Sequence, residues 1–103
     1  MNAPFDFKDF KGACESMLYR LGAVDTDRFY PMRIETAAGP LDLWPQDDSL
    51  VCRFVDVERA RALLGAGWGG RLNPISGKWN WHPEQPDAAA VDGIRDELAR
   101  VLP

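Results

Sequence analysis

Between Tyr30 and Val55 the chain alternates hydrophobic and other residues in three successive segments separated by turn-forming residues. Tyr30, Met32 and Ile34 alternate with Arg33 and Glu35. Leu41, Leu43 and Pro45 alternate with Asp42 and Trp44, and Leu50, Cys52 and Phe54 alternate with Val51, Arg53 and Val55. Side chains of a strand point to opposite faces in turn, so this pattern demands a sheet with one buried side. The separators Ala37-Ala38-Gly39-Pro40 and Gln46-Asp47-Asp48-Ser49 are hairpin-sized, which predicts an antiparallel meander. The third segment is apolar on both faces except at Arg53, which predicts a place inside the sheet. Pro31 lacks an N–H and predicts an edge position or a late start for the first strand.

Helical periodicity brackets this region. Phe7, Phe10, Cys14, Met17, Leu18 and Leu21 recur at helical spacing, with Lys8, Asp9, Lys11, Glu15 and Arg20 on the other face. Asp6 suits the N-cap, Phe5 and Phe10 a hydrophobic staple, and Gly22 the stop, with Asp25 to Arg28 as a polar link beyond it. Asp56 suits the cap of a second, shorter helix bearing Val57, Ala60, Leu63 and Leu64 and ending at Gly65. Asp87 suits the cap of a last helix with the stripe Val91, Ile94, Leu98 and Val101, and with Leu102 beside it. Gly93 weakens that helix by roughly 1 kcal/mol relative to alanine.

Asn73 to His82, Asn-Pro-Ile-Ser-Gly-Lys-Trp-Asn-Trp-His, reads as a turn feeding a short alternating strand. Trp79 and Trp81 then point one way and Lys78, Asn80 and His82 the other. The expected order is α-β-β-β-α-β-α, a single α+β domain over residues 1–103. Helices pack on one face of a four-stranded, mainly antiparallel sheet. The link from the third to the fourth strand is long enough for a right-handed crossover, so those two are read as possible parallel neighbours. Pro31 and Pro45 discourage pairing at the sheet edge, which favours a monomer, with dimerisation through an exposed strand as the alternative.

The motifs exclude more chemistry than they suggest. Gly65, Gly67 and Gly70 match G-x-G-x-x-G, but they leave a helix and open toward a strand, the reverse of what a pyrophosphate-binding loop needs. His82 is the sole histidine, with no cysteine near it in sequence, so a zinc site would need distant carboxylates. Acid–base work by His82 would likewise need a carboxylate from elsewhere. Ser16, Ser49 and Ser76 lack a nucleophile-elbow context. Asp47-Asp48 and Asp96-Glu97 read as turn and helix-surface pairs. Cys14 and Cys52 sit in apolar patterns without CxxC spacing and read as buried thiols. No catalytic residue, metal or cofactor is expected, and the chain is read as not an enzyme.

Charge narrows the partner class. The net charge is −4 and the pI near 4.8, which argues against a protein that coats duplex DNA through a basic surface. Yet from Arg53 to His82 five cations (Arg53, Arg59, Arg61, Arg71, Lys78) face only Asp56 and Glu58, and Trp68, Trp79 and Trp81 lie among them. Such a mixture suits a protein-interface hot spot, or a surface that stacks single-stranded nucleic acid. The plain structural alternative puts Trp79 and Trp81 in the core, leaving Lys78, Asn80 and His82 outside with Arg53 alongside. The candidate binding residues are Trp68, Arg71, Lys78, Asn80, His82 and Arg53. The absence of a basic-apolar leader or a membrane-length apolar stretch predicts a soluble cytoplasmic protein without membrane contact.

Val51-Cys52-Arg53-Phe54 and the run Asn73 to His82 resemble segments of small proteins of bacterial plasmids and integrative elements, over about the middle third of the chain. The resemblance implies no activity and no catalytic residues. It implies an accessory role, such as binding and modulating a cellular or defence protein. The leading expectation is therefore a non-enzymatic module acting on a protein partner, as a mobile-element accessory or inhibitor. The alternative is a single-stranded nucleic-acid-binding protein using Trp68, Arg71, Lys78 and Asn80.

Overall fold

The structure, a computed structural model, describes residues 9–27, 30–64, 73 and 75–103. Three helices and five strands follow one another as α1 (Phe10–Leu21), β1 (Val24–Asp25), β2 (Met32–Thr36), β3 (Gly39–Pro45), β4 (Leu50–Phe54), α2 (Val57–Leu64), β5 (Lys78–Trp81) and α3 (Ala88–Ala99). The sheet order is β1-β2-β3-β4-β5, antiparallel throughout. The α+β architecture and its element order are those the sequence predicts, with one strand added.

The added strand is β1, two exposed residues pairing Val24 with Arg33 and Asp25 with Met32. It occupies part of the expected polar link and is too short to carry a period. β2 starts at Met32, directly after Pro31. The first hairpin is tighter than expected: Gly39 and Pro40 belong to β3, opposite Thr36 and Glu35. Gly39 has φ +96, and the Thr36 hydroxyl donates to Gly39 O (2.7 Å) while accepting from Ala38 N (3.0 Å), which closes the two-residue turn. Pro45 sits at the end of β3, a central strand, so it does not protect a sheet edge.

α1 begins later than expected. Asp9, not Asp6, is its N-cap, with Oδ1 accepting from Gly12 N at 2.7 Å; Phe5, Asp6 and Phe7 lie outside the described residues. Gly22 ends the helix in the left-handed region (φ 107), and its N–H meets the Leu18 and Tyr19 carbonyls. Asp56 and Asp87 cap α2 and α3 by accepting from Arg59 N (3.0 Å) and Ala90 N (3.1 Å).

α1 and α3 pack against each other over one face of the sheet. Beneath them lie Met32, Ile34, Leu41, Leu43, Leu50, Cys52, Phe54, Trp79 and Trp81, joined by Cys14, Met17 and Leu18 of α1 and Val91, Ile94 and Leu98 of α3. Val101 N–H bonds back to Leu98, and its carbonyl accepts from Ala37 N at 2.7 Å, so the C-terminal turn is tied to the β2–β3 hairpin. α2 gives the core Ala60 and part of Leu64, whereas Leu63 of its expected stripe is 53% exposed. Both cysteines are free and buried. Burial pushes the Cys14 thiol up to about 12, with Glu15 adding to the rise, and raises the Cys52 thiol strongly.

Candidate functional site

The turn before β5 decides which side chains reach the surface. Asn73 Oδ1 accepts from Ile75 N (2.9 Å) and Ser76 N (3.1 Å), and Asn73 O accepts from Gly77 N (2.9 Å). Asn73 N–H then donates to Lys78 O at 2.9 Å, closing the turn onto the strand. Gly77 has φ +74, and a Cβ there would lie 2.9 Å from both Phe54 O and Val57 Cγ2. The backbone thus passes where no other residue fits.

β5 runs antiparallel to β4, which corrects the reading of the two as parallel neighbours. Gly77 O accepts from Phe54 N at 3.0 Å, so β5 starts where β4 ends, and α2 with the following link connects adjacent strand ends. Link length had indicated reach and not direction. Trp79 (1% exposed) and Trp81 (6%) face the helices, their ring centroids 3.9 Å apart at 48°. The Trp81 indole Nε1 donates to Glu97 Oε1 of α3 at 3.2 Å. These indoles are core.

Lys78, Asn80 and His82 are exposed on the opposite side. The register lays Arg33, Asp42, Arg53 and Lys78 in one row across the sheet, and Trp44, Val51 and Asn80 in the next. Arg53, Lys78 and Asn80 are therefore neighbours on one surface, and His82 follows the end of β5 near Asp48. Trp68 and Arg71 lie outside the described residues, as do Gly65, Gly67 and Gly70. Two residues absent from the candidate set belong to this surface, Trp44 and Val51, both partly buried on the outer side of the sheet. The signal for Trp44 was its parity, since it shares a face with Asp42 and not with Leu41 and Leu43.

The cation row is unevenly compensated. Arg33 forks onto Asp42, Nε to Oδ1 at 2.7 Å and Nη2 to Oδ2 at 3.2 Å, and this pairing raises the guanidinium pKa. Arg53 and Lys78 sit directly opposite each other, and among the described residues neither has an ion-pair partner. The Phe54–Gly77 bond sets the ladder phase, so Cys52–Trp79 is a hydrogen-bonded pair and Arg53–Lys78 is not. Residues in such non-bonded pairs approach most closely, with Cα atoms about 4.5 Å apart, where like charges destabilise.

No protein-family model, curated protein or solved structure matches this chain.

His82 Nε2 lies 3.7 Å from Asp48 Oδ2, with the two side chains 70% and 65% exposed, so the carboxylate is beyond hydrogen-bonding reach. Among the described residues no three His, Cys, Asp or Glu side chains gather as a metal site would require. Nor, among them, is any helix long and apolar enough to cross a membrane. Among the described residues the arrangement offers two cations without an ion-pair partner, an amide and an indole on a broad sheet surface, suited to binding an anionic or amphipathic group.

Proposed function

We propose that this chain is a non-enzymatic binding module that docks on a protein partner through the outer face of β3, β4 and β5, using Arg53, Lys78, Asn80 and His82 with Trp44 and Val51. One observation carries the reading. Arg53 and Lys78 are opposed like charges, and among the described residues neither has an ion-pair partner, since Asp42, which stands opposite Arg53, is held by Arg33. The fold gains nothing from this pairing, but a partner presenting carboxylates beside an apolar side chain would. Trp44 and Val51 give that apolar side chain a place to rest. Two buried free thiols suit a reducing compartment such as the cytoplasm. A mobile-element accessory or inhibitor would work in this way, by occupying a surface of a cellular protein.

Affinity capture from bacterial lysate with the wild type and with Arg53→Glu/Lys78→Glu tests the reading. A partner retained by the wild type and lost with the charge reversal supports it; a partner retained equally by both ends it. Single-stranded nucleic acid is the competing occupant, because cations beside an indole also suit phosphates and bases. Oligothymidylate that quenches tryptophan fluorescence at low salt, less at moderate salt, and not in the charge-reversed variant would replace the protein reading with that one.

A further inference from the structure

Resting on that reading, we infer where the partner is anchored: the side chain of Ile75, held out by the turn before β5, enters an apolar pocket of the partner protein whose rim carries carboxylates for Lys78 and Arg53. The first support is exposure. Ile75 is 87% exposed, the most exposed of the large apolar side chains among the described residues. It therefore contributes little to packing within the chain. A lone aliphatic group on a surface is ordinary. Its position is not, because turn chemistry favours small or polar residues where this chain has a β-branched apolar one.

The second support is the mounting. Every backbone N–H from Ile75 to Lys78 is bonded inside the turn: those of Ile75 and Ser76 to Asn73 Oδ1, that of Gly77 to Asn73 O, and that of Lys78 to Ser76 Oγ at 3.3 Å. Asn73 N–H returns to Lys78 O, and Gly77 passes against Phe54 O and Val57 where a Cβ has no room. The tip is thereby fixed against the end of β4 and the start of α2. A loop that must be ordered on binding loses conformational freedom, and one already ordered is spared that cost. Joining α2 to β5 accounts for Asn73 and Gly77. It leaves an isoleucine between them unexplained.

Charge selects the occupant. Lys78 follows Ile75 by three residues and stands opposite Arg53, and Val55, just past β4, is a further half-exposed apolar group. An apolar pocket with carboxylates at its rim would bury the isoleucine and relieve the opposed cations together. A lipid surface fits less well, because stable anchoring takes more than one apolar signal and a net charge of −4 opposes an anionic leaflet. A second copy of the chain also fits less well. Its small cleft between α1 and α3 is apolar in Met17, Leu21 and Val91 but sets Arg20 and Arg95 against the single acid Asp92.

Competition with the full chain tests the inference. Immobilised wild type is loaded with the protein it retains from bacterial lysate, and soluble wild type or variant is titrated in to displace it. Ile75→Val should need about fourfold more protein than the wild type, the worth of one methylene, and Ile75→Ala at least tenfold more. Urea unfolding should be unchanged in both, since the side chain is exposed. A benzophenone attached at Ile75→Cys should crosslink to the retained protein, and one attached at Asp96→Cys, on α3 across the sheet, should not. Equal displacement by Ile75→Ala, a crosslink from position 96 but not 75, or capture that does not weaken from low to moderate salt overturns the inference. If Ile75→Ala displaces like the wild type while the Arg53→Glu/Lys78→Glu reversal does not, the anchor fails and the docking surface stands. If both displace like the wild type, or nothing is retained, both fall. Binding to phosphatidylglycerol vesicles, or self-association in sedimentation, that Ile75→Ala abolishes would replace the protein pocket with that occupant.

Discussion

The two faces of this sheet obey different rules. On the covered face every inward residue of β2 to β5 is buried, two indoles lie in contact, and a glycine stands where a methyl group has no room. On the outer face an ion pair at one end of a row leaves two cations opposed at the other, and a tryptophan lies half out of the core. The first arrangement is what stability alone would select. The second includes a pairing that stability would remove, and such local conflicts are where function is sought.

Substitutions on the two faces should therefore differ in size and in sign. Trp79→Ala is expected to cost about 3–5 kcal/mol in urea or thermal unfolding, as for any large aromatic side chain removed from a packed core. A cost below about 1 kcal/mol would mean that the indole is not core. Gly77→Ala should follow at roughly 2–4 kcal/mol, combining a left-handed backbone with overpacking against Phe54 O and Val57.

Alkaline pH probes the covered face in another way. The thiol of Cys14 titrates near 9.0 when unfolded and near 12 when folded, and that of Cys52 is raised as well, so above pH 9 the unfolded chain releases protons that the folded chain keeps. The stabilisation is complete below pH 9 and is lost as pH rises toward 12. Denaturation midpoints followed over that window should fall less steeply in Cys14→Ala than in the wild type; equal slopes would contradict the burial argument.

On the outer face Arg33→Ala should cost only about 0.2–1 kcal/mol, since its pair with Asp42 is partly exposed. Lys78→Glu should reverse the sign and stabilise the fold by roughly 0.2–1 kcal/mol, because it turns a like-charge pair into an opposite-charge one. The same change should weaken partner capture. Loss of stability in Lys78→Glu would show that the pair serves the fold, and would remove the contrast between the faces.

What the sequence disclosed follows from these rules. The covered face was legible because burial imposes parity: Met32, Ile34, Leu41, Leu43, Leu50, Cys52 and Phe54 declare a sheet, and the same alternation puts Trp79 and Trp81 inside with Lys78 and Asn80 outside. Asp56, Asp87 and Gly22 were legible as caps because few residues satisfy helix ends. Val24–Asp25 was not legible, because two exposed residues have no period. Asp6 and Asp9 are equally eligible as caps by residue type alone. The direction of β5 was hidden because a long link permits either sense. Trp44 escaped the candidate set because strand parity marks a face without saying whether a partner uses it. Trp68 and Arg71 remain expectations of the sequence alone.

The turn from Asn73 to Gly77 has one further consequence. Because it is bonded onto Lys78 before the ladder begins, it fixes which members of β5 are odd and which are even. Inserting or deleting a single residue between Asn73 and Lys78 would turn both indoles toward water and a lysine toward the core. Descendants of this chain should therefore vary freely in the letters of the outward positions while the length of that segment stays frozen.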